Sequence, residues 1–157
     1  MLKYLTITGL VIVLDQVSKG WMVSWLSLYE TVAIMPYFNL TMAHNHGAAF
    51  SFLAQAGGWQ RWFFIGLAAT ISVVLLVWLA KLKPAEKLES ISLTLILGGA
   101  IGNVMDRIMY GYVIDFIDIY VGTSHWPAFN IADSAICIGA VLLILDSFKS
   151  EDKSQTA

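Results

Sequence analysis

This chain of 157 residues carries little charge, since Asp, Glu, Lys and Arg make up 13% of it while 58% is hydrophobic. Soluble domains contain about 25% charged residues. The mean hydropathy of +0.72 agrees, so the composition indicates a membrane protein. The net charge is only −2 and there is no basic patch, which argues against a nucleic-acid partner.

Cysteine is almost absent as well. Cys137 is the single one, so the chain cannot form an internal disulfide and has no CxxC metal or redox motif. Because Cys137 lies in an apolar run, we expect an inert, packed thiol. The sequence also lacks GxSxG, HExxH and GxxxxGK[ST] motifs, which removes the familiar hydrolase and nucleotide-binding signatures.

Long apolar segments are what the sequence does contain. Four of them are long enough, or nearly so, to cross about 30 Å of hydrocarbon at about 1.5 Å per residue. The first resembles a secretory signal, but polar residues follow its apolar core and no A-x-A-type cleavage site is evident, so we interpret it as a retained helix. The predicted spans are 4–26, 60–80, 90–107 and 131–148, within a single domain of residues 1–148.

The distribution of Lys and Arg predicts the orientation. Lysines lie before the first span, between the second and third, and after the fourth. The other two connections, 27–58 and 108–130, contain neither Lys nor Arg. By the positive-inside rule, both termini are cytoplasmic and these two loops lie outside. Residues 149–157 are predicted to be a disordered cytoplasmic tail.

The first outer loop, 27–58, is too long for a simple connector. It contains the β-prone runs TVAIM, YFNLTMA and AAFSFL, so we expect a small extracytoplasmic antiparallel sheet. The predicted fold is thus an all-α membrane protein with four transmembrane helices and this sheet. Two histidines of the loop, His44 and His46, have no nearby third ligand and are weak evidence for a metal. We interpret them as solvated loop residues and expect no metal or other cofactor.

The stretch 98–133 is unusual because it holds several carboxylates between two strongly apolar segments. A charged side chain at the centre of a membrane helix costs about 2.5–3.5 kcal/mol on insertion scales, so such groups are few and are functional by default. Asp115 follows the outer end of the third span and Asp133 begins the fourth, so both carboxylates reach one depth near the outer surface. The aspartates of the stretch are Asp106, Asp115, Asp118 and Asp133.

Two close carboxylates do not both ionise readily, so one retains a proton. The ionised member can take a proton from water while the protonated one polarises a peptide carbonyl, which is aspartic-protease chemistry. Composition alone does not rank Asp115 above Asp118, which could instead face water or support the loop.

Several polar residues also allow structural interpretations. Asp15 and Lys19 lie one helical turn apart and can form a neutral structural pair. Asn130 could cap the fourth helix, and Asp133 would suit its positive end.

The third span allows structural interpretations as well. Gly98, Gly99 and Gly102 are predicted to form a packing face, because small residues let helices approach closely. Asp106 and Arg107 could pair and anchor this helix at the interface.

Five sequence blocks follow one another along the chain, namely DQVSK at 15–19, NHGAAF at 45–50, GGAIGNVMDR at 98–107, VIDF at 113–116 and FNIAD at 129–133. In this order they resemble bacterial lipoprotein signal peptidase, also called signal peptidase II, over nearly the whole chain. The resemblance implies a membrane aspartic endopeptidase of the bacterial cytoplasmic (inner) membrane, with its active site near the outer, periplasmic face. Its substrates would be prolipoproteins carrying diacylglycerol on a cysteine, cut just before that cysteine, and the cyclic peptide globomycin would inhibit it.

The resemblance also implies roles for individual residues. By position, Asp115 and Asp133 match the catalytic dyad of the family. His46 departs from the pattern, because Thr or another small residue is expected there. The positions that would support the dyad or hold the substrate are Asp15, Asn45, Gly47, Asn103, Arg107 and Asn130, to which we add Lys19 and Asp106 from the same blocks.

The residues alone leave two other functions open. A small transporter or proton-relay subunit would line a path with charges such as Asp15 and Lys19 together with Asp106 and Arg107, but the middles of spans two to four carry no charged residue. A structural assembly subunit that packs through its glycines would tolerate Asp-to-Asn changes at 115 and 133.

The orientation can be tested by cysteine labelling in a Cys137→Ser background. Single cysteines at residues 40 and 122 should react with an impermeant maleimide in intact spheroplasts. A cysteine at residue 85 or at the C-terminus should react only after permeabilisation, because lysine-rich segments stay inside. Labelling of residue 85 in intact spheroplasts would contradict the predicted orientation.

Overall fold

A computed structural model of the chain describes residues 2–47, 53 and 57–155. Within these residues, helices and strands alternate in the order α1, β1, β2, α2, α3, β3, β4, α4. The helices are α1 Leu2–Trp25, α2 Trp59–Lys81, α3 Lys87–Met109 and α4 Ile131–Gln155, and the strands are β1 Thr31–Met35, β2 Phe38–Asn45, β3 Val113–Val121 and β4 Ser124–His125.

Three of the described helices are long and apolar enough to cross a membrane, namely α2, α3 and the part Ile131–Phe148 of α4. The fourth, α1, has a similar length of 24 residues, but its polar run DQVSK lowers its hydropathy. The polar side chains of this run are directed into the protein, with Asp15 and Lys19 0% and 2% exposed. The mostly helical fold is therefore confirmed, while the first span and the orientation stay predictions.

The helix limits agree with the predicted ones within a few residues, except at the end of α4. This helix continues to Gln155 rather than ending at 148, so it includes most of the segment that we predicted to be a disordered tail. Lys, Glu and Gln are good helix formers, and the apolar part of α4 supplies the nucleus from which the helix can extend.

The central helix, α3, packs on α1 and α4 through glycine. A Cβ atom at Gly99 would overlap the carbonyl oxygen of Ala132, and one at Gly102 would lie 2.7 Å from Asp15 Oδ2. Gly98 meets α1 at a similarly short distance. The predicted packing face is confirmed, and it brings the first turn of α4 directly against α3.

Strands from the α1–α2 and α3–α4 connections form one antiparallel sheet in the order β1-β2-β3-β4. We predicted strands only in the first loop, where TVAIM and most of YFNLTMA are confirmed as β1 and β2. The third run, AAFSFL, lies outside the described residues except for Leu53. Strand β3 was not predicted, because its first four residues are buried on both faces and lack the alternation of a half-exposed strand.

The sheet packs on the C-terminal end of α1. Met22 of α1 and Leu26, the residue that follows this helix, form one apolar cluster with Met42, Ile114 and Phe116. Since successive residues of a strand alternate between its faces, the even-numbered residues at the start of β3 are directed towards this cluster. The odd-numbered ones are left to face the opposite side of the sheet.

Replacing Gly99 by Ala should destabilise the protein, because the new methyl group would overlap the backbone of α4. Overpacking of this kind commonly costs about 1–3 kcal/mol, and we expect a melting temperature several degrees lower in detergent. Gly66→Ala is the matched control, since nothing lies within 4 Å of a Cβ atom added there. Equal melting temperatures for both variants would contradict the packing role of Gly99.

Candidate active site

Asp115 of β3 and Asp133 of α4 are joined by a single residue, Asn130. The side-chain Nδ2 of Asn130 donates to Asp115 Oδ1 at 2.7 Å, and its backbone N–H donates to Asp133 Oδ2 at 3.3 Å. In return, Asn130 Oδ1 accepts from the backbone N–H of Asp133 at 2.9 Å. This reciprocal pattern is a capping box. The structural interpretation of Asn130 as a helix cap is thus confirmed, and the cap itself brings the two carboxylates together.

Asp133 receives a further hydrogen bond from α3. Asn103 Nδ2 donates to Asp133 Oδ1 at 2.7 Å, while Asn103 Oδ1 accepts from Lys19 Nζ at 3.1 Å. Asp133 also lies in the first turn of α4, where the helix dipole stabilises negative charge. These donors and the dipole offset part of the cost of burying a negative charge at Asp133.

Asp115 has a different environment and is only 2% exposed. Asn45 Nδ2 donates to its Oδ2 at 3.0 Å. The pKa of Asp115 is raised to about 7, first because the carboxyl is buried and second because Asp133 lies nearby, while the hydrogen bonds from Asn45 and Asn130 act in the opposite direction. A large share of Asp115 is therefore protonated at neutral pH.

Lys19 of α1 is enclosed behind the two aspartates. Its Nζ lies 2.8 Å from Asp15 Oδ2 and 2.7 Å from Asp106 Oδ2, so the predicted Asp15–Lys19 pair is confirmed and gains a second carboxylate. Asp15 Oδ1 accepts from the backbone N–H of Ala132 at 2.9 Å. The cluster therefore ties α1 to α3 and to the start of α4.

Gln16 belongs to the same cluster and was missed in the sequence analysis. Its Nε2 donates to Asp106 Oδ1 at 2.8 Å and to Asp15 Oδ2 at 3.2 Å. The signal was present, because an amide next to charged residues in an apolar helix requires partners inside the protein.

Arg107 is directed away from this cluster. Asp106 pairs with Lys19, so the predicted Asp106–Arg107 anchor is wrong. The two neighbours diverge because successive residues of an α-helix face different directions. Arg107 Nη2 instead donates to the carbonyl oxygen of Gly47 at 2.7 Å, and the guanidinium lies 5.0 Å from the centre of the Phe64 ring.

A cavity of about 570 Å³ opens beside these groups. Asp133 lines it, whereas Asp115 lies just behind the lining and is hydrogen-bonded to Asn45, which does line it. One wall is the segment 126–129. This segment runs alongside β3, since Phe129 forms an antiparallel bridge with Ile117 of that strand. The lining residues are Asn45, Asn103, Arg107, Val113, Trp126, Pro127, Ala128, Phe129, Asp133, Ser134, Ile136 and Cys137.

The prediction that Cys137 is a packed thiol is wrong. Its side chain is exposed and lines the cavity. Cys137 lies four residues after Asp133, so both are on the same face of α4. An apolar run of a membrane helix does not reveal which of its residues face a cavity, and the sequence therefore gave no signal.

Asp118 lies apart from the dyad and holds the sheet together. Its carboxylate accepts from Asn39 Nδ2 at 2.8 Å and is bonded to His125 Nδ1 at 2.8 Å, which links β3 to both neighbouring strands. The structure therefore separates the two aspartates that composition could not rank, because it is Asp115 that shares Asn130 with Asp133.

The two loop histidines both contact one tyrosine. His44 stacks on Tyr112 with ring centres 3.8 Å apart, and His46 meets the same ring edge-on at 5.4 Å. Our interpretation of them as solvated loop residues is thus incomplete. Across residues 2–47, 53 and 57–155, no group of three or more His, Cys, Asp or Glu side chains could hold a metal ion.

Known proteins resemble this chain in sequence and in fold. The family model described as "Signal peptidase (SPase) II" matches residues 7–149. The lipoprotein signal peptidase of Alteromonas mediterranea is 55% identical over 152 residues, which cover 97% of this chain and 84% of that protein. The lipoprotein signal peptidase of Photorhabdus laumondii is also 55% identical over 152 residues, with coverages of 97% and 91%.

A solved structure described as "Bacterial membrane enzyme structure by the in meso method at 2.3 A resolution" superposes with a TM-score of 0.88 at 30% identity, over 98% of this chain and 92% of that one. A second one, at 1.9 Å resolution, superposes with a TM-score of 0.83. The sequence match and the shared fold therefore agree over nearly the whole chain, and this chain belongs to the signal peptidase II family.

Proposed function

We propose that this protein is a membrane aspartic endopeptidase that removes the signal peptide from diacylglyceryl-modified prolipoproteins, cutting just before the lipidated cysteine. The observation that carries the proposal is the pair formed by Asp115 and Asp133, both hydrogen-bonded to Asn130 beside the cavity. The family supports peptidase activity, and the names of the relatives support a lipoprotein precursor as the substrate.

The unequal environments of the dyad suggest its division of labour. Asp133, held by Asn103 and the helix end, is the ionised base that takes a proton from water. Asp115, with its pKa raised to about 7, is the acid that donates its proton to the carbonyl oxygen of the scissile peptide. The oxygen of the water forms a bond to the carbonyl carbon, and a neutral gem-diol results.

Collapse of the gem-diol reverses both proton transfers. Asp133 passes its new proton to the leaving nitrogen, the C–N bond breaks, and one hydroxyl returns its proton to Asp115. The products are a carboxylic acid and a free amino group, and the dyad is restored. Every proton in this sequence is carried by the two aspartates, to which their different surroundings assign opposite roles.

The remaining site residues have supporting roles in this proposal. Asn45, Asn103 and Asn130 orient the two carboxyl groups. The buried cluster of Lys19 with Asp15 and Asp106 holds α1, α3 and α4 together behind them. Arg107 holds Gly47 next to the backbone of the bound peptide.

The membrane setting follows from the substrate. We propose that α1 is a fourth span, that both termini are cytoplasmic, and that the sheet and cavity lie at the outer face of the inner membrane. The acyl chains of a lipidated cysteine stay in the bilayer and so bring the scissile bond to this depth. The apolar wall of residues 126–129 would then contact the substrate, and globomycin would compete for the same cavity.

The burial of charge argues against a transporter or proton-relay subunit. Asp15, Lys19 and Asp106 pair with one another at hydrogen-bonding distance. Among the described residues, Arg61 Nε is the buried side-chain nitrogen or oxygen atom that has no hydrogen-bond partner. A proton or ion path requires charges that exchange partners along the membrane normal, whereas these form one closed cluster.

Asp115→Asn and Asp133→Asn should each lower turnover by several orders of magnitude in a protein that still folds, because an amide cannot act as the base or supply the acidic proton. Their effects should be strongly non-additive, since the two residues act as one unit. The measurement is cleavage of a lipid-modified prolipoprotein by purified enzyme, with the melting temperature as the folding control.

Asp118→Asn is the matched control, because it changes an aspartate of the same strand outside the dyad. It should retain most of the turnover. A folded but inactive Asp118→Asn beside an active Asp115→Asn would refute the assignment of the dyad, and silent changes at both 115 and 133 would favour a structural subunit.

Removal of the lipid from the substrate should slow cleavage strongly, because the acyl chains hold the peptide at the depth of the dyad. The test compares diacylglyceryl-modified and unmodified forms of one prolipoprotein in the same detergent or bilayer, with globomycin added to a parallel reaction. Equal cleavage rates for the two forms would mean that the enzyme is a peptidase that does not recognise the lipid.

A further inference from the structure

Strands β2 and β3 place two different sets of side chains on their two faces where the cavity begins. On the cavity side, Asn45 lies opposite Val113 and Ala43 opposite Asp115. Asn45 and Asp115 are therefore diagonal neighbours on one face, as the hydrogen bond of 3.0 Å between them shows.

The opposite face carries rings. His44 lies opposite Ile114, and His46 and Tyr112 are the residues just beyond the last pair of the two strands, Asn45 with Val113. The ring of Tyr112 contacts both histidines, stacked on His44 at 3.8 Å and edge-on to His46 at 5.4 Å. The two histidines thus flank Asn45 in the chain and are both fixed to one tyrosine across the sheet.

The end of β2, next to these rings, makes hydrogen bonds to residues of the site through Asn45 and Gly47. The side chain of Asn45 uses both ends of its amide, since Oδ1 accepts from the backbone N–H of Gly47 at 3.0 Å while Nδ2 donates to Asp115. The carbonyl oxygen of Gly47 accepts from Arg107 at 2.7 Å. Because β2 ends at Asn45, the strand ladder does not extend to Gly47, and other contacts must hold this end of the strand.

We propose that His44, His46 and Tyr112 are positioning residues, whose ring contacts fix the end of β2. With this end fixed, Asn45 keeps its hydrogen bond to Asp115, and the carbonyl oxygen of Gly47 keeps its hydrogen bond from Arg107. The proposal rests on the proposed function of Asp115 as a member of the dyad. We call these three residues the ring clamp. They act through Asn45 and Gly47, from the face of the sheet opposite to Asp115.

The clamp acts through the aromatic contacts of its rings. Burial and the neighbouring His46 both lower the pKa of His44, so its imidazole is neutral at neutral pH and packs as an aromatic ring. Phenylalanine should therefore replace either histidine. A role as metal ligand or general base would instead require the ring nitrogens.

The central experiment compares two double variants of the purified enzyme, His44→Ala with His46→Ala, and His44→Phe with His46→Phe. The alanine pair should lower kcat/KM about tenfold, the order expected when one hydrogen bond that positions a reacting group is lost. The phenylalanine pair should have a kcat/KM close to that of the unmodified enzyme, since it keeps both rings. Tyr112→Phe should likewise be close to normal, and Tyr112→Leu should resemble the alanine pair.

The pH dependence separates positioning from a general loss of structure. Asn45 donates to the carboxylate of Asp115 and so lowers its pKa, as does Asn130, whereas the nearby Asp133 raises it and Lys19 lowers it. A weakened Asn45 bond raises the pKa of Asp115, so the proposed acid stays protonated to higher pH. The alkaline limb of the kcat/KM profile should therefore move to higher pH in the alanine pair.

Two controls make the experiment specific. Tyr110→Leu removes a ring that stacks on Tyr112 at 6.0 Å outside the clamp, and it should leave the profile unchanged. In an Asn45→Ala background, the alanine pair should add no further shift of the alkaline limb, because coupled residues are not additive. If the alanine pair fails to fold, His46→Ala alone and Tyr112→Leu provide the same comparison.

An alanine pair with unchanged kcat/KM and profile would overturn the clamp, and so would a phenylalanine pair as impaired as the alanine pair. A further shift in the Asn45→Ala background would also overturn it. These outcomes are distinct from failure of the proposed function, which an active Asp115→Asn would show whatever the clamp variants do.

Discussion

The shared ion pair of Lys19 with Asp15 and Asp106 is the interaction on which the rest of this structure depends. A cation enclosed among apolar helices must keep its partners, because removal of one partner from a buried pair commonly costs about 3–5 kcal/mol. The pair fixes α1 against α3, and the second oxygen of Asp15 binds the backbone of Ala132. The first turn of α4 is thereby held at the point where the dyad forms.

Close approach of the helices is the second requirement. Gly99 and Gly102 have no side chain that would separate α3 from Ala132 and Asp15. The helices therefore come close enough for hydrogen bonds to form between them. The capping box of Asn130 then serves two purposes, since it caps the first turn of α4 and also brings Asp133 close to Asp115. In the proposed function, stability and catalysis use the same atoms, and changes at Asn130 should affect both.

The location of the site suits a substrate that is itself anchored in the membrane. The dyad lies where helices end and the sheet begins, beside a cavity with an apolar wall. A soluble protease must bind its substrate entirely through the peptide. An enzyme whose substrate has acyl chains can use membrane depth for part of the selection, and a small sheet that holds the peptide end is sufficient.

The sequence by itself determined the helices, because the length of an apolar run decides whether a segment can span a bilayer. Its motifs also singled out Asp115, Asp133 and Asn130. Only the tertiary structure decided that Asp106 pairs with Lys19, that Cys137 faces the cavity, and that β3 joins strands of the first loop. The physical reason is that helix phase and strand register decide which distant residues meet, and no local pattern contains that information.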